Sequence, residues 1–157
     1  MPSSYDRIIL HSIWSTKYRE PWIDEKIEPE LFAIMISEFQ KHGCQVIEIG
    51  GSDDHVHIIH TLPRTKSIAQ VISSVKAVSS RWLSLRAEKF RAFGWQDGYG
   101  SFSVDYRKQE KVREYVRHQR EHHAKPSKID TFKKEYTAML IDYGYPDFTP
   151  EYVFPNP

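Results

Sequence analysis

The sequence is short of cysteine, of long apolar runs and of net charge. Cys44 is the single cysteine and has no partner within the chain, so we expect a cytosolic compartment. No apolar run approaches the roughly 20 residues that a membrane-spanning helix needs. The polar N-terminus, residues 1–5, does not have the pattern of a secretion signal. These absences argue against a disulfide-rich scaffold and against a membrane protein.

The charges almost cancel, because 22 Lys and Arg residues face 21 Asp and Glu residues, for a net charge of +1. This balance neither indicates nor excludes a nucleic-acid partner, since binding depends on where the charges cluster. Aromatic residues make up 13% of the chain, and their rings can fill a core or stack on bases. The length of 157 residues suits one compact domain, at residues 1–125, with a short tail at residues 126–157.

Hydrophobic periodicity predicts alternating strands and helices along the first 125 residues. A period of two residues or an apolar run indicates strands, and three-four spacing indicates helices. The predicted strands are residues 7–15, 44–49, 55–62 and 95–106, and the predicted helices are residues 28–42, 67–90 and 108–123. The tail holds a short helix at residues 131–143 and an extended segment. The order β-α-β-β-α-β-α predicts an α+β, ferredoxin-like (RRM-like) sandwich, an antiparallel sheet with packed helices.

Two histidines share one face of the third predicted strand. His55 and His57 flank Val56, and alternate strand residues point the same way, about 7 Å apart. Two imidazoles so placed can bind one cation. They can equally be ordinary, partly exposed histidines, since the chain has eight.

A tyrosine and a glutamine share one face of the helix that follows the last predicted strand. Tyr115 and Gln119 lie at i and i+4, one turn apart. A phenol can attack phosphorus, and an amide oxygen can complete a metal site. With nine tyrosines in the chain, the spacing alone does not establish either role.

Four segments, taken in order, resemble the single-tyrosine HUH transposases of bacterial and archaeal insertion sequences, a family named for its His-hydrophobe-His motif. The segments are GSDDHVHII at residues 51–59, VKAVSSRW at 75–82, FGWQDGYGSFSV at 93–104 and EYVRHQREHH at 114–123. The resemblance extends over residues 5–123, the whole predicted domain.

The resemblance implies a DNA transposase that cuts and rejoins single-stranded DNA beside hairpins. Tyr115 would be the nucleophile and would form a 5′-phosphotyrosine intermediate. His55, His57 and Gln119 would bind a divalent cation, Mg²⁺ or Mn²⁺, and Asp54 would orient an imidazole, unless it is only a turn residue. It also implies a homodimer with a continuous sheet, in which the active sites are commonly composite, and a protein associated with the nucleoid.

Cations are the expected contacts to DNA phosphates, and nearby aromatic rings are expected to stack on bases. Each cation can equally be a solvated surface charge. The candidates are Lys17, Arg19, Lys76, Arg81, Arg107, Arg113 and Arg117. For the tail, we expect packing on the partner subunit or on DNA.

Several other functions compete with a transposase. His118 and His122 fit the H-x-x-E-H zinc-peptidase motif, but the 35 residues after His122 leave little room for a further ligand. A two-histidine phosphoesterase would need H-x-T or H-x-S motifs, which the sequence lacks. A non-catalytic module that binds single-stranded nucleic acid, such as a decayed or domesticated transposase, remains the main alternative. A domesticated enzyme that cleaves repeated extragenic palindromes would share the chemistry and differ only in its target.

Overall fold

The computed structural model describes residues 3–123 and 131–157. These two ranges contain four strands and six α-helices in the predicted order, except that the helix predicted at residues 108–123 is divided into two and a further short helix follows near the end of the tail. They are β1 (Ile9–Ser15), α1 (Glu28–Lys41), β2 (Val46–Ser52), β3 (His55–Thr61), α2 (Ile68–Arg86), β4 (Gly100–Ser103), α3 (Gln109–Arg117), α4 (Gln119–His122), α5 (Thr131–Asp142) and α6 (Pro150–Val153). None of the helices in these two ranges is long and apolar enough to cross a membrane.

The strands form one antiparallel sheet in the order β2-β3-β1-β4. The two central strands, β1 and β3, are joined through α1 and β2, as in a ferredoxin-like sandwich. The predicted α+β fold is therefore confirmed. The predicted boundary between domain and tail, at residues 125 and 126, lies outside the described residues.

Several element boundaries differ from the prediction; the helix predicted over residues 67–90, for example, ends at Arg86, because Ala87 is extended. The last strand is only four residues long, because in the segment before Gly100 only Trp95 bridges to the sheet, at Thr16. The predicted turn at residues 50–54 is shorter, since Gly50 to Ser52 pair with β3. The helix predicted over residues 108–123 is interrupted at His118, whose backbone leaves the helical region (φ −100°, ψ 22°).

The two faces of the sheet carry different side chains, because successive strand residues point to opposite sides. One face holds Trp14, Val56 and Ile58 in the main core, which α1 and α2 cover. The opposite face carries His55 and His57, together with apolar residues of the same strands. The helices from α3 onward lie on this second face, so the histidines become buried rather than exposed.

Two glycines allow helices to approach the second face closely. A Cβ atom at Gly50 in β2 would overlap the backbone carbonyl of Val116 in α3. A Cβ atom at Gly100 in β4 would overlap the ring of Tyr136 in α5. These positions therefore require the residue without a side chain, and they fix how near α3 and α5 lie to the sheet.

The tail packs on the chain's own sheet. Phe132, Tyr136 and Leu140 recur at helical spacing along α5 and form the buried stripe of that helix. With Phe154 they make a second core cluster against Ile13 and Phe102 of the sheet. This packing holds α5 over the same face that carries the histidines.

Candidate active site

The residues predicted to bind a metal and to attack DNA meet on the second face of the sheet. His55 and His57 project from β3 and are fully buried. The amide oxygen Oε1 of Gln119, at the start of α4, lies 3.0 Å from Nε2 of His55. The ring of Tyr115 in α3 lies edge-on to His57, with centroids 5.9 Å apart. All four belong to one chain.

Glu135 of α5 contacts these side chains, although the sequence did not predict it as a site residue. Its Oε1 atom accepts a hydrogen bond from His57 Nε2 at 2.8 Å, and its Oε2 atom accepts one from Gln119 Nε2 at 3.1 Å. The hydroxyl of Tyr115 also donates to Oε2. One carboxylate therefore contacts an imidazole, the amide and the phenol.

The sequence contained only a weak signal for Glu135. It is a charged residue directly beside the apolar stripe of α5, at a position where a helix faces its packing partner. Helical periodicity does not say which surface that stripe will cover. The tail also lay outside every motif, so only the packing of α5 on the sheet brings Glu135 to the histidines.

His123 also belongs to this cluster, although the sequence did not predict it as a site residue. Its Nε2 atom lies 3.1 Å from Gln119 Oε1 and 3.4 Å from Glu135 Oε2. Its Nδ1 atom lies 2.5 Å from the hydroxyl of Thr131, which fixes the ring. Ligand atoms of His55, His123 and Glu135 all lie within 4.8 Å of one another.

The outer nitrogens of the two strand histidines have hydrogen-bond partners. Asp54 Oδ1 accepts from His55 Nδ1 at 2.7 Å, and His11 Nε2 lies 2.7 Å from His57 Nδ1. Such partners orient imidazoles that bind metals. With its proton on Nδ1, His55 turns the lone pair of Nε2 toward Gln119 Oε1. Two acceptors then face each other, and a proton or a metal cation between them satisfies both.

Burial keeps the histidines next to β1 and β3 neutral near pH 7. It lowers the pKa of His57 to about 4 and the pKa of His11 to about 3. Burial alone would raise the pKa of Glu135, but its electrostatic interaction with His57 and its hydrogen bonds with His123 and His57 outweigh burial, and the pKa is lowered. Glu135 is therefore an anion beside the neutral imidazole of His57. Neutral imidazole is the form that binds metals.

Burial and the neighbouring Glu135 anion raise the pKa of Tyr115. The phenol is therefore protonated at neutral pH while it donates to the carboxylate.

The donor atoms fit a divalent cation. Ligands at right angles around a cation with bonds of about 2.1 Å lie about 3 Å apart. Oε1 of Glu135 lies 2.8 Å from His57 Nε2 and 3.5 Å from His55 Nε2, and Gln119 Oε1 lies 3.0 Å from His55 Nε2. Imidazole nitrogen with carboxylate and amide oxygen is a donor set that suits Mn²⁺, and its oxygens suit Mg²⁺.

The H-x-x-E-H motif of His118 and His122 does not form a metal site, in line with the argument against a zinc peptidase. His118 is half-exposed and pairs with Glu114 and Glu121 on its own helices. His122 stacks near the ring of Tyr115, with centroids 5.2 Å apart. In residues 3–123 and 131–157, the one cluster of three such ligands is formed by His55, His123 and Glu135.

Two predicted DNA-contacting arginines have protein partners away from the tyrosine. Arg113 and Arg117 each pair with Glu48 of β2, with N–O distances of 3.0 and 3.3 Å. Each lies about 200° around the helix from Tyr115, since successive residues turn by 100°.

The other predicted cations are spread over the surface. Arg107 pairs with Asp105, and Arg81 is exposed on α2. Lys76 donates to the carbonyl oxygens of Gln96 and Gly98 at 2.8 and 2.7 Å. Burial lowers the pKa of Lys76 to about 8. Lys17 lines the pocket next to Lys76, and Arg19 contacts the tail at the Pro155 carbonyl. Only the local geometry of these cations is established, and their contacts with DNA stay a prediction.

Solved structures that share this fold include two transposases. One is a candidate transposase from Deinococcus radiodurans R1, 18% identical, with a TM-score of 0.59, covering 76% of this chain and 96% of that one. The other is a REP-associated tyrosine transposase bound to a REP hairpin, 11% identical, with a TM-score of 0.54, covering 92% of this chain and 74% of that one.

No curated protein matches the sequence. The family model described as "Transposase IS200 like" matches residues 4–119, which include the strand histidines, the tyrosine and the glutamine. The chain belongs to the IS200-like transposase family.

Proposed function

We propose that this transposase cuts and rejoins single-stranded DNA through a covalent bond between Tyr115 and a 5′-phosphate. The observation that carries the proposal is the meeting of a tyrosine hydroxyl, a carboxylate and a cluster of buried imidazoles in one partly open site. Tyr115 is half-buried, so a phosphate can reach its hydroxyl. The family match supports DNA cleavage as the reaction.

The residues of the site would either bind a metal cation or orient the side chains that bind it. His55, His57, Gln119 and Glu135 would hold a divalent cation, which acts as a Lewis acid and shields the charge of the phosphate. Asp54 would keep the proton of His55 on Nδ1, so that Nε2 is free to bind the metal. If His57 Nε2 bound the cation, the proton that Nε2 donates to Glu135 would move to Nδ1, where His11 Nε2 can accept it.

Attack requires the phenol to lose its proton. Tyr115 Oη forms a bond to phosphorus while the bond from phosphorus to the 3′-oxygen breaks. The phenol proton passes to Glu135, which already accepts it as a hydrogen bond, and the 3′-oxygen takes a proton from water. A free 3′-hydroxyl can later attack the phosphotyrosine and return the proton to Tyr115. The strand is then rejoined without another energy source.

The substrate we propose is a single strand marked by a hairpin. The similar REP-associated tyrosine transposase is bound to a REP hairpin, and this chain shares its fold. A homodimer with composite sites stays a prediction.

The test is the formation of a covalent adduct. Wild-type protein is mixed with Mn²⁺ and labelled oligonucleotides that carry hairpins with single-stranded flanks. We expect a denaturant-resistant adduct whose modified peptide contains Tyr115. Tyr115→Phe should abolish it, whereas Tyr152→Phe, which changes an 85% exposed tyrosine, should not. Binding without an adduct for every hairpin would instead indicate the non-catalytic nucleic-acid-binding module.

A further inference from the structure

A groove between α3 and α5 leads to the hydroxyl of Tyr115. Its volume is about 740 Å³, which lies within the range of ligand-binding clefts. Val112 of α3 and Ala138 and Met139 of α5 supply apolar surface. Tyr115 and Glu135 lie at its inner end, so anything that follows the groove reaches the proposed nucleophile.

Three lysines border this groove, and none was among the predicted DNA contacts. Lys108 and Lys111 lie on the α3 side, and Lys134 lies on α5. All three are exposed. In the part of the chain that the structure describes, their ammonium groups form no ion pair, in contrast to Arg113 and Arg117.

The spacing of the lysines follows the groove toward the tyrosine. Lys108, Lys111 and Tyr115 lie at i, i+3 and i+7, which is one face of a helix. The seven residues from Lys108 to Tyr115 span about 10 Å at 1.5 Å per residue. Lys134 directly precedes Glu135 on the opposite wall. Asp142 is the acidic residue at the far end of the α5 wall, two turns from Glu135.

We propose that this groove binds the single-stranded DNA next to the phosphate that Tyr115 attacks. The inference rests on the proposed function and adds where the strand lies. Phosphates would contact the three lysines, and bases or sugars would pack on the apolar surface between them. Single-stranded DNA commonly binds in a groove whose cations follow the phosphate backbone, and an apolar channel bordered by unpaired lysines has this character. A double helix carries its phosphates on a rigid, wider surface and has no unstacked bases for the apolar wall.

The test compares two variants with the same change of charge. The groove variant carries Lys108→Gln, Lys111→Gln and Lys134→Gln. The control carries Lys41→Gln, Lys66→Gln and Lys89→Gln, in or near α1 and α2 on the other side of the sheet. Both are made with Tyr115→Phe to prevent cleavage. Affinity for a fluorescent 20-nucleotide oligo-dT strand is measured from 50 to 200 mM salt.

We expect the slope of log affinity against log salt to be shallower by about 2 in the groove variant. Each of the three lost phosphate contacts should reduce the size of the slope by about 0.7. The control should keep the wild-type slope. A blunt hairpin without a flank should bind both variants equally. An unchanged slope in the groove variant, or an equal loss in the control, would overturn the proposal.

A second variant tests the groove without a change of charge. Ala138→Trp fills it from an exposed position of α5. Binding of oligo-dT should weaken at least tenfold, which is about 1.4 kcal/mol, with the melting temperature unchanged. Wild-type affinity would contradict the groove as the binding site. This outcome is separate from the adduct experiment, because these measurements use protein that cannot form an adduct.

Discussion

Gly50 controls how closely α3 lies on the sheet, so Gly50→Ala is expected to displace the nucleophile. The added methyl group would overlap the carbonyl of Val116, the residue after Tyr115. Because that obstacle is backbone, no side chain can rotate away, and α3 must retreat by about 1.4 Å to bring the 2.0 Å separation to van der Waals contact at 3.4 Å. A displacement of about 1 Å can reduce a reaction rate about 100-fold.

The same change should lower stability much less than activity. Overpacking of this kind costs about 1–3 kcal/mol, and each kcal/mol lowers the melting temperature by about 2–4 °C in a chain of this size. The assay is the initial rate of adduct formation at 25 °C, alongside thermal melting. We expect a folded protein whose rate falls about 100-fold.

Gly94→Ala provides the matched control, because its added methyl group would only touch the side chain of Lys17 at 3.9 Å. It should keep both the rate and the melting temperature close to wild type. A wild-type rate in Gly50→Ala would refute the claim that this close approach positions Tyr115. The claim would also be refuted if the fraction of unfolded Gly50→Ala protein accounted for the whole loss of rate.

Two further predictions concern buried ionisable groups. Glu135→Gln should slow adduct formation at pH 7 at least about 100-fold, because the phenol loses its proton acceptor, and it should weaken Mn²⁺ binding measured by calorimetry. Glu121→Gln, on an exposed carboxylate, should change neither, and equal effects of the two would remove Glu135 from the mechanism. His60 is buried, and its pKa is lowered to about 4. Since the unfolded chain binds that proton at pH 6.5, stability should fall by about 3 kcal/mol between pH 6.5 and pH 4. In denaturant titrations of the His60→Gln variant, the free energy of unfolding should therefore fall less between pH 6.5 and pH 4 than in the wild type. An equal fall in both proteins would contradict the assignment of this pH dependence to His60.

Most of the fold could be predicted because its signals are local. Apolar residues three and four positions apart predicted α1, α2 and α5, and apolar strand patterns predicted β1 and β3. The errors fell where tertiary contacts decide, as at β4. There the carbonyls of Gln96 and Gly98 bond to Lys76 instead of a neighbouring strand, so the strand begins only at Gly100.

The DNA-contacting cations could not be chosen from the sequence for a related reason. Arg113 and Lys111 are two residues apart on the same helix, and nothing local distinguishes them. The fold places Arg113 against Glu48 of β2 and leaves Lys111 facing the groove. Whether a cation is available depends on which acidic side chains lie beside it in space.

The sequence by itself determined the family and the residue types of the site, because the paired imidazoles of β3 and the tyrosine and glutamine of the following helices are set by short-range spacing. Only the tertiary structure brought Glu135, His123 and His11 to them. Those contacts join residues of β1, β3, α3 and α5 that lie up to 104 positions apart, as in the ring contact between His11 and Tyr115. Helical or strand periodicity extends over a few turns and cannot specify which distant surface a helix will cover.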